Sequence, residues 1–199
     1  MKATDAIMAL SHHQGLFRAR DLQALGVPRA ALTGLVHSGR LTRVSRGIYS
    51  ASERPVSEHD QLAEVALKYP QGVFCLLTAL QIHGLTTQSP HEVWLAVDVK
   101  ARAPVMVYPA LHVVRFSGLA LTSGVERKSL DGVVQIPVTT VAKTVADCFK
   151  YRHKIGLDVA LEALREAWRA KRVTMDELWQ SAQICRVAKV MRPYLESLT

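Results

Sequence analysis

Long apolar runs are missing from this sequence of 199 residues. A helix that spans a membrane needs about 20 consecutive apolar residues, and a secretory leader joins a basic start to a shorter apolar core. Neither pattern is present, so we predict no membrane span and no secretory signal. We therefore expect a cytoplasmic protein.

Cysteines are few, and none lies near another in the sequence. Cys75, Cys148 and Cys185 are an odd number of thiols in apolar or helical surroundings, which argues against a disulfide framework. A structural zinc site needs close pairs of Cys or His, and the adjacent His12 and His13 have no partners at ligand spacing. We predict buried free thiols and no bound metal.

The signatures of common enzymes are also missing. There is no Gly-rich phosphate loop, and Ser117-Gly118 and Ser123-Gly124 lack the strand-turn-helix context of a nucleophile. The segment DVK at 98–100 resembles half of a metal-dependent nuclease site, but neither Glu92 nor Asp60 is spaced to share a metal with it. A charge pair at a strand end is the simpler interpretation. We predict no catalytic residue, no cofactor and no enzyme.

Basic residues are abundant, and they are concentrated near the start of the chain. The net charge is +8, and residues 1–50 hold seven Lys or Arg against two acids, which is +5. Six of these seven are arginines, whose planar guanidinium binds phosphate oxygens or a guanine edge with two hydrogen bonds. This charge favours nucleic acid as the partner, and a merely solvated basic face is the alternative.

Residues 16–50 carry two apolar stripes at helical spacing, which predict two short helices. The first stripe is Leu22 and Leu25, and the second is Leu32, Leu35 and Val36.

Two residues between these stripes predict a helix-turn-helix. Gly26 can end the first helix in a left-handed conformation, and Pro28 suits the first turn of the second helix. Upstream, Thr4 is a candidate cap for another helix containing Ile7. Arg18 stands where Ser, Thr or Asp would normally cap the helix that begins at Ala19, so that helix start is poorly specified.

After Gly39 the apolar residues alternate, which predicts a two-stranded hairpin around a turn at 45–47. The alternating residues are Leu41, Val44, Ile48 and Tyr49. Leu16 and Phe17 form a candidate short strand that pairs with this hairpin. Residues 1–50 are therefore predicted to be a winged helix-turn-helix domain.

The second helix of this domain has a predicted outward face of Ala30, Thr33, Gly34 and His37, with Arg29 on its flank. Base edges are read mainly from the first turns of such a helix, so Arg29 and Thr33 are the best candidates. His37 fits a DNA contact and a simple role in capping carbonyls equally well. Three arginines lie on the predicted hairpin, namely Arg40, Arg43 and Arg46. They are predicted to hold phosphates or to enter a minor groove.

The rest of the chain is predicted to be a linker at 51–57 and one α+β domain at 58–199. Predicted helices cover residues 60–69, 79–83 (capped by Thr78), 140–151, 157–171, 174–184 and 188–198. Predicted strands cover residues 92–98, 105–108 and 111–116, and Asp131-Gly132 predicts a hairpin turn between 129–130 and 133–136. One helix carries the apolar stripe Leu157, Leu161, Leu164 and Trp168.

Three segments in this order resemble the AbiEi family of antitoxins from type IV toxin-antitoxin systems, which are associated with abortive phage infection. They are RGIY at 46–49, LLTALQIHGL at 76–85 and IPVTTVAKTVADC at 136–148. Lys143 departs from the pattern, because we expect Arg at this position in relatives. The resemblance extends over nearly the whole chain.

The resemblance implies two activities. The winged helix would bind operator repeats in its own promoter and repress the operon, and the second domain would counteract a nucleotidyltransferase-like toxin without forming a stable complex. Carried over by position, the DNA-binding role falls on Arg18, Arg20, Arg29, Thr33, Arg40, Arg43 and Arg46, beside Ala30 and His37 from the helical face.

Two other functions stay open from the sequence. The first alternative is a stand-alone winged-helix transcriptional regulator whose second domain senses a ligand or mediates dimerisation. The second is a DNA-targeted hydrolase that uses Asp98. Two molecules could also associate on DNA.

Overall fold

The computed structural model describes residues 3–28, 30–130 and 134–198. It confirms the predicted α+β class, with helices and strands in both halves of the chain. The chain divides into two compact units, Met1–Pro70 with Lys128–Ile136 and Gln71–Arg127 with Pro137–Thr199. None of the described helices is long and apolar enough to cross a membrane.

The first unit contains a three-stranded antiparallel sheet with helices before and between its strands. Its elements are α1 (Ala3–Gln14), β1 (Leu16–Arg18), a 3-10 helix (Ala19–Leu25), α2 (Ala30–His37), β2 (Leu41–Ser45), β3 (Ile48–Ala51) and α3 (Asp60–Lys68). Both β1 and β2 pair with β3, so the strand order is β1-β3-β2. The predicted hairpin and its third strand are therefore present, in the arrangement of a winged helix.

The helix before α2 differs from the prediction, because it is a 3-10 helix and buries only one of its two leucines. Leu22 is fully buried, whereas Leu25 is 50% exposed. Gly26 ends the helix at φ 66°, as predicted, and the N–H of Val27 then donates to the carbonyl of Leu22 at 3.1 Å. This tight turn brings Val27 into the core in place of Leu25, so the predicted stripe is wrong at Leu25.

Two predictions about helix starts also need correction. Helix α1 begins at Ala3, so Thr4 lies inside the helix and is not its cap. The 3-10 helix starts without a Ser, Thr or Asp at Arg18, but it is not poorly specified. The backbone N–H of Arg18 donates a hydrogen bond of 2.8 Å to the carboxylate of Asp21, three residues further along the chain. The backbone donor at the start of the helix therefore has a partner.

The apolar side chains of α1, α2 and the sheet form one core. Its buried members are Ile7, Phe17, Leu22, Val27, Leu32, Leu35 and Leu41. Both α2 leucines of the predicted stripe are buried, and Val36 is partly buried against them. The apolar face of α2 is thus confirmed.

This core gives a test of how α2 is held. Leu32→Ala is expected to lower the free energy of unfolding by about 2–5 kcal/mol, because it removes buried methyl groups and leaves a cavity. Leu25→Ala is the matched control, and its half-exposed side chain should change stability by no more than about 0.5 kcal/mol. Urea unfolding followed by circular dichroism measures both. Equal effects would contradict the burial described for the two leucines.

The first compact unit extends beyond the predicted linker. The Arg54 guanidinium pairs with the Asp60 carboxylate, which also accepts the N–H of Ser57 at 3.1 Å. Ala63 of α3 then packs with Leu16 and Ile48 of the sheet. The boundary between the compact units therefore does not fall at residue 50 or residue 57. Whether the functional domains are divided at residues 50 and 57 stays a prediction.

The second unit is built around a mixed sheet covered by helices. Its elements are β4 (Val73–Phe74), α4 (Leu76–His83), β5 (Val93–Asp98), β6 (Leu111–Phe116), α5 (Leu119–Thr122), β7 (Val125–Leu130), β8 (Val134–Thr139), α6 (Val141–Lys150), α7 (Arg152–Ile155), α8 (Leu157–Arg169), α9 (Met175–Ile184) and α10 (Ala188–Glu196). The strand order is β6-β5-β4-β8-β7. Strand β5 pairs in parallel with β6 and antiparallel with β4, while β4 and β8 are parallel.

The last residues of β7 and the first residues of β8 belong to the first compact unit, which includes Lys128–Ile136. The predicted turn at Asp131-Gly132 lies outside the described residues.

Most predicted elements of this unit are present, but residues 105–108 are not a strand. Val105 is 79% and Val107 is 101% exposed, and Pro104 and Pro109 flank the segment. Proline cannot donate a ladder hydrogen bond, and β-branched residues favour strands mainly when a sheet buries one of their faces. No such burial occurs here.

Thr78 does not cap α4, because the helix begins two residues earlier at Leu76. The Thr78 hydroxyl instead accepts the backbone N–H of Trp94 at 2.9 Å, inside the buried region between α4 and β5. The predicted end of α4 is correct, since Gly84 follows it at φ 64°.

The predicted stripe on α8 is also shifted. Leu164 is buried, but Leu157 is 37% exposed, and Leu161 and Trp168 are only partly buried. The fully buried residues are the alanines at 160, 163 and 167. Because these side chains are small, α8 can lie close to the neighbouring helices of the core. The face of α8 that packs against them is therefore the one that carries these three alanines. All three cysteines are free and buried, as predicted.

Candidate nucleic-acid interface

The outward face of α2 carries small and polar residues. Ala30, Thr33, Gly34 and His37 are all exposed, while Leu32 and its neighbours on the opposite face are buried. The four exposed positions follow helical spacing and therefore lie on one side of α2. This orientation agrees with the sequence analysis. A DNA contact by any of these residues stays a prediction.

The end of α2 connects directly to the wing. Gly39 ends the helix at φ 72°, and its N–H donates to the carbonyl of Val36 at 3.1 Å. The N–H of Arg40 donates to the carbonyl of Leu35 at 3.0 Å. These bonds hold the exposed Arg40 at the junction of α2 and β2.

The hairpin formed by β2 and β3 is the wing, and it exposes two arginines. Arg43 lies opposite Tyr49, and the register shifts between Arg43 and Ser45. Val44 lies between these two residues and is 42% exposed, so it does not join the core with Leu41 and Ile48. Arg46 is exposed in the turn that closes the hairpin.

A third segment lies beside the wing. The N–H of Ala19 donates to the carbonyl of Gly47 at 2.9 Å, which places the exposed Arg20 next to the turn that contains Arg46. The structure thus brings together arginines that are 26 positions apart in the sequence.

Unlike the exposed Arg20, Arg40, Arg43 and Arg46, Arg18 is only partly exposed, and its guanidinium has partners within the protein. It pairs with the Asp21 carboxylate at 2.9 Å, and it also donates to the carbonyl of Leu67 at 3.5 Å. Its side chain is 26% exposed. These contacts give Arg18 a role in holding the 3-10 helix, and its predicted DNA contact is the weakest of the set.

The charge of this surface is of one sign. Residues 22–52 contain four arginines and no Asp or Glu. Three of the four, Arg40, Arg43 and Arg46, are exposed, and Arg29 lies outside the described residues. An acid-free surface that joins a helix face to a hairpin can bind the phosphate backbone on both sides of a groove. We name the exposed residues of α2, the wing and Arg20 the basic face.

The second unit contains a buried ion pair that the sequence analysis missed. The Lys143 ammonium is fully buried and contacts the two Asp147 carboxylate oxygens at 2.7 and 2.6 Å. The Cys185 thiol donates to the same carboxylate at 3.2 Å, and the Lys143 ammonium lies 4.6 Å from the centre of the Phe116 ring. Burial raises the pKa of the Asp147 carboxyl, although Lys143 opposes this shift.

This pair occupies the third segment of the family resemblance, at 136–148. The signal in the sequence is a Lys and an Asp four residues apart in the segment 141–149 of helix α6, whose other residues are apolar or small. Gly124 fits closely beside it, since a Cβ there would lie 2.8 Å from the Lys143 Cβ. All side chains of this cluster belong to the second unit, and none of them is part of the basic face.

The predicted nuclease fragment has local roles in the structure. The Asp98 carboxylate accepts the backbone N–H of Lys100 at 2.8 Å. Glu92 pairs instead with the His112 ring at 3.2 Å. In the described part of the chain, no group of three His, Cys, Asp or Glu is placed to hold a metal ion.

Comparison with known families identifies the region that carries the basic face. Residues 5–51 match a family described as "Transcriptional regulator, AbiEi antitoxin". The match covers α1, the helix-turn-helix and the wing, so it confirms the resemblance for this region and supports a DNA-binding regulator. The segments at 76–85 and 136–148 lie outside the matched residues. A search of curated proteins finds no match.

A solved structure has a similar fold over most of the chain. It is the crystal structure of RV2827C protein from Mycobacterium tuberculosis, with a TM-score of 0.52 and 13% sequence identity. The similarity covers 92% of this chain and 76% of that chain. At this identity the similarity shows the fold alone.

Proposed function

We propose that this protein is the antitoxin of a type IV toxin-antitoxin system. Its winged helix represses its own operon, and its second domain counteracts a nucleotidyltransferase-like toxin without forming a stable complex. The observation that carries the proposal is the acid-free basic face, which lies in the region that matches the AbiEi antitoxin regulators.

The proposed DNA contact follows from the geometry of the basic face. Helix α2 enters the major groove with Thr33 toward the base edges, and the small Ala30 and Gly34 allow close approach. Arg29 flanks this helix in the sequence. Arg40, Arg43 and Arg46 then bind phosphates or a narrow minor groove beside it.

Repression and antitoxicity reside in different parts of the chain in this proposal. The wing arginines supply DNA affinity, whereas the antitoxin activity belongs to the second domain. The two activities should therefore separate in full-length variants that change only the wing.

The experiment co-expresses the full-length protein with the product of the adjacent gene and scores growth, alongside a reporter under the operon's promoter. Arg43→Ala with Arg46→Ala should derepress the reporter and still restore growth. The matched control is Arg165→Ala with Lys189→Ala, which removes two exposed cations of the second unit and should leave the reporter repressed.

Each outcome has a defined meaning. If the wing variant derepresses the reporter but neither it nor the parent protein restores growth, the proposed antitoxin activity is contradicted. That result would favour a stand-alone transcriptional regulator. Full repression by the wing variant would contradict the DNA-binding half.

A further inference from the structure

The second unit contains an open cavity of about 460 Å³ that the proposed DNA-binding function does not use. It lies between the end of β6, the short helix α5 and the C-terminal ends of α6 and α9. Small-molecule sites in proteins commonly have volumes of about 300–1,000 Å³. The cavity therefore has room for a ligand much larger than a single phosphate ion.

The wall of this cavity is positively charged. Arg115, Lys150 and Arg186 line it, and all three residues are exposed. Asp147 is the acid that lines it among the described residues, and Asp147 is already paired with the buried Lys143. The cavity thus has an excess of cations that its own acid does not neutralise, which favours an anionic ligand.

Arg115 is held in a fixed position at this wall. Its Nη1 donates to the carbonyl of Asp98 at 2.8 Å and to the carbonyl of Ala101 at 2.7 Å. These bonds do not use Nε or Nη2. A guanidinium fixed in this way can give its remaining donors to phosphate oxygens with little loss of side-chain entropy.

Arg186 occupies a backbone position that favours glycine. It follows α9 at φ 58°, where its N–H donates to the carbonyl of Gln183 and the N–H of Val187 donates to the carbonyl of Ala182. Helices usually end in this conformation with glycine, since other residues are strained there. An arginine at this position therefore suggests a use for its side chain at the cavity.

Tyr151 adds an aromatic donor to the wall. Its side chain is partly buried, and burial raises the pKa of its hydroxyl to about 12. The hydroxyl therefore stays protonated near neutral pH and can donate a hydrogen bond to an oxygen of a ligand. The partly exposed ring can also contact a flat or apolar part of a ligand.

We propose that this cavity binds a small phosphorylated ligand of about nucleotide size. Arg115, Lys150 and Arg186 would hold its phosphate groups, and Tyr151 would contact the remainder. This binding site is separate from the basic face and does not depend on the proposed DNA-binding function.

Isothermal titration calorimetry on the full-length protein tests the proposal with ATP, GTP, CTP, UTP, ribose 5-phosphate and inorganic phosphate. We expect at least one nucleotide or ribose 5-phosphate to bind, and inorganic phosphate to bind at least tenfold more weakly. Binding of nucleotides alone would identify the base as part of the ligand. Binding of ribose 5-phosphate as well would identify a sugar phosphate as sufficient.

The variant Arg186→Gly separates the binding role from a structural one. It should weaken the binding at least tenfold, while the Tm stays equal to that of the parent or rises because the backbone strain is relieved. Lys171→Gly is the matched control, since Lys171 has φ 52° after α8 and does not line the cavity. It should leave the binding within twofold of the parent.

Three results would overturn the proposal. The first is that none of the six compounds binds. The second is that Arg186→Gly binds as tightly as the parent. The third is that Arg43→Ala with Arg46→Ala abolishes the binding, which would place the phosphates on the basic face instead.

Discussion

Replacing Arg43 and Arg46 together with alanine should weaken binding to promoter DNA by about 10- to 100-fold at near-physiological salt. Both side chains are exposed on the wing, and the acid-free surroundings give neither one an Asp or Glu partner between residues 22 and 52. Their charge is therefore available to phosphate oxygens. The fold should be unaffected, because neither side chain belongs to the core of the first unit.

The salt dependence gives this prediction a second, independent readout. Each phosphate contact contributes about 0.9 to the slope of log K against log salt concentration. The double variant should therefore lower the slope by about 1.8 in fluorescence anisotropy titrations over a range of salt concentrations. Arg165→Ala with Lys189→Ala, the matched pair from the second unit, should keep the slope of the parent.

An unchanged affinity and an unchanged slope in the wing variant would show that the wing does not contact DNA. A loss of the same size in the control pair would show that net charge alone drives the binding.

Lys143→Met should lower the free energy of unfolding by about 3–5 kcal/mol, because it leaves the Asp147 carboxylate buried without its cation. The Lys143 side chain is completely buried, and its ammonium is the partner of both carboxylate oxygens. For a chain of this size the loss corresponds to a fall in Tm of about 10 °C. Differential scanning calorimetry measures this fall.

The double variant Lys143→Met with Asp147→Leu distinguishes a lost pair from a lost volume. Since well-packed apolar residues can replace a buried ion pair without loss, the double variant should regain most of the Tm. Arg192→Met is the control on an exposed pair with the same spacing, because Arg192 contacts Glu196 at 2.7 Å on the surface of α10. It should leave the Tm almost unchanged.

A Tm for Lys143→Met close to that of the parent would contradict the buried ion pair. A double variant that is less stable than either single variant would show that the hydrogen bond from Cys185 or the contact with Phe116 matters more than the charge pairing.

The sequence predicts the first unit well because its signals are local. Gly26 and Gly39 end their helices in the left-handed conformation that glycine favours, and the alternating residues at 41–49 form a hairpin. The inward face of α2 follows directly from helical spacing. These features depend on residues within a few positions of each other, so one sequence is enough to predict them.

The errors occur where particular hydrogen bonds or strand pairing, and not apolar spacing, decide which side chains are buried. The turn closed by the hydrogen bond from Val27 to Leu22 buries Val27 and leaves Leu25 half exposed, and the paired hairpin leaves Val44 exposed. Thr78 is a plausible cap in sequence, but its hydroxyl accepts a bond from Trp94, 16 residues away. Periodicity contains no information about such contacts.

The basic face was only partly predictable. Its arginines and the outward side of α2 follow from composition and spacing. The position of Arg20 beside the wing depends on the bond from Ala19 to Gly47, and the partners of Arg18 include the carbonyl of Leu67, 49 positions away. The cavity of the second unit is formed by three separate segments of the chain, so no local pattern predicts it.

The proposed function requires that the basic face recognises the promoter of this protein's own operon. Anisotropy titration of the full-length protein against a promoter fragment and a shuffled fragment of equal length and composition tests it most directly. We expect binding to the promoter to be at least about 1,000-fold tighter than binding to the shuffled DNA at near-physiological salt. Equal affinity for both fragments would contradict it, because the basic face would then attract phosphate without reading a sequence.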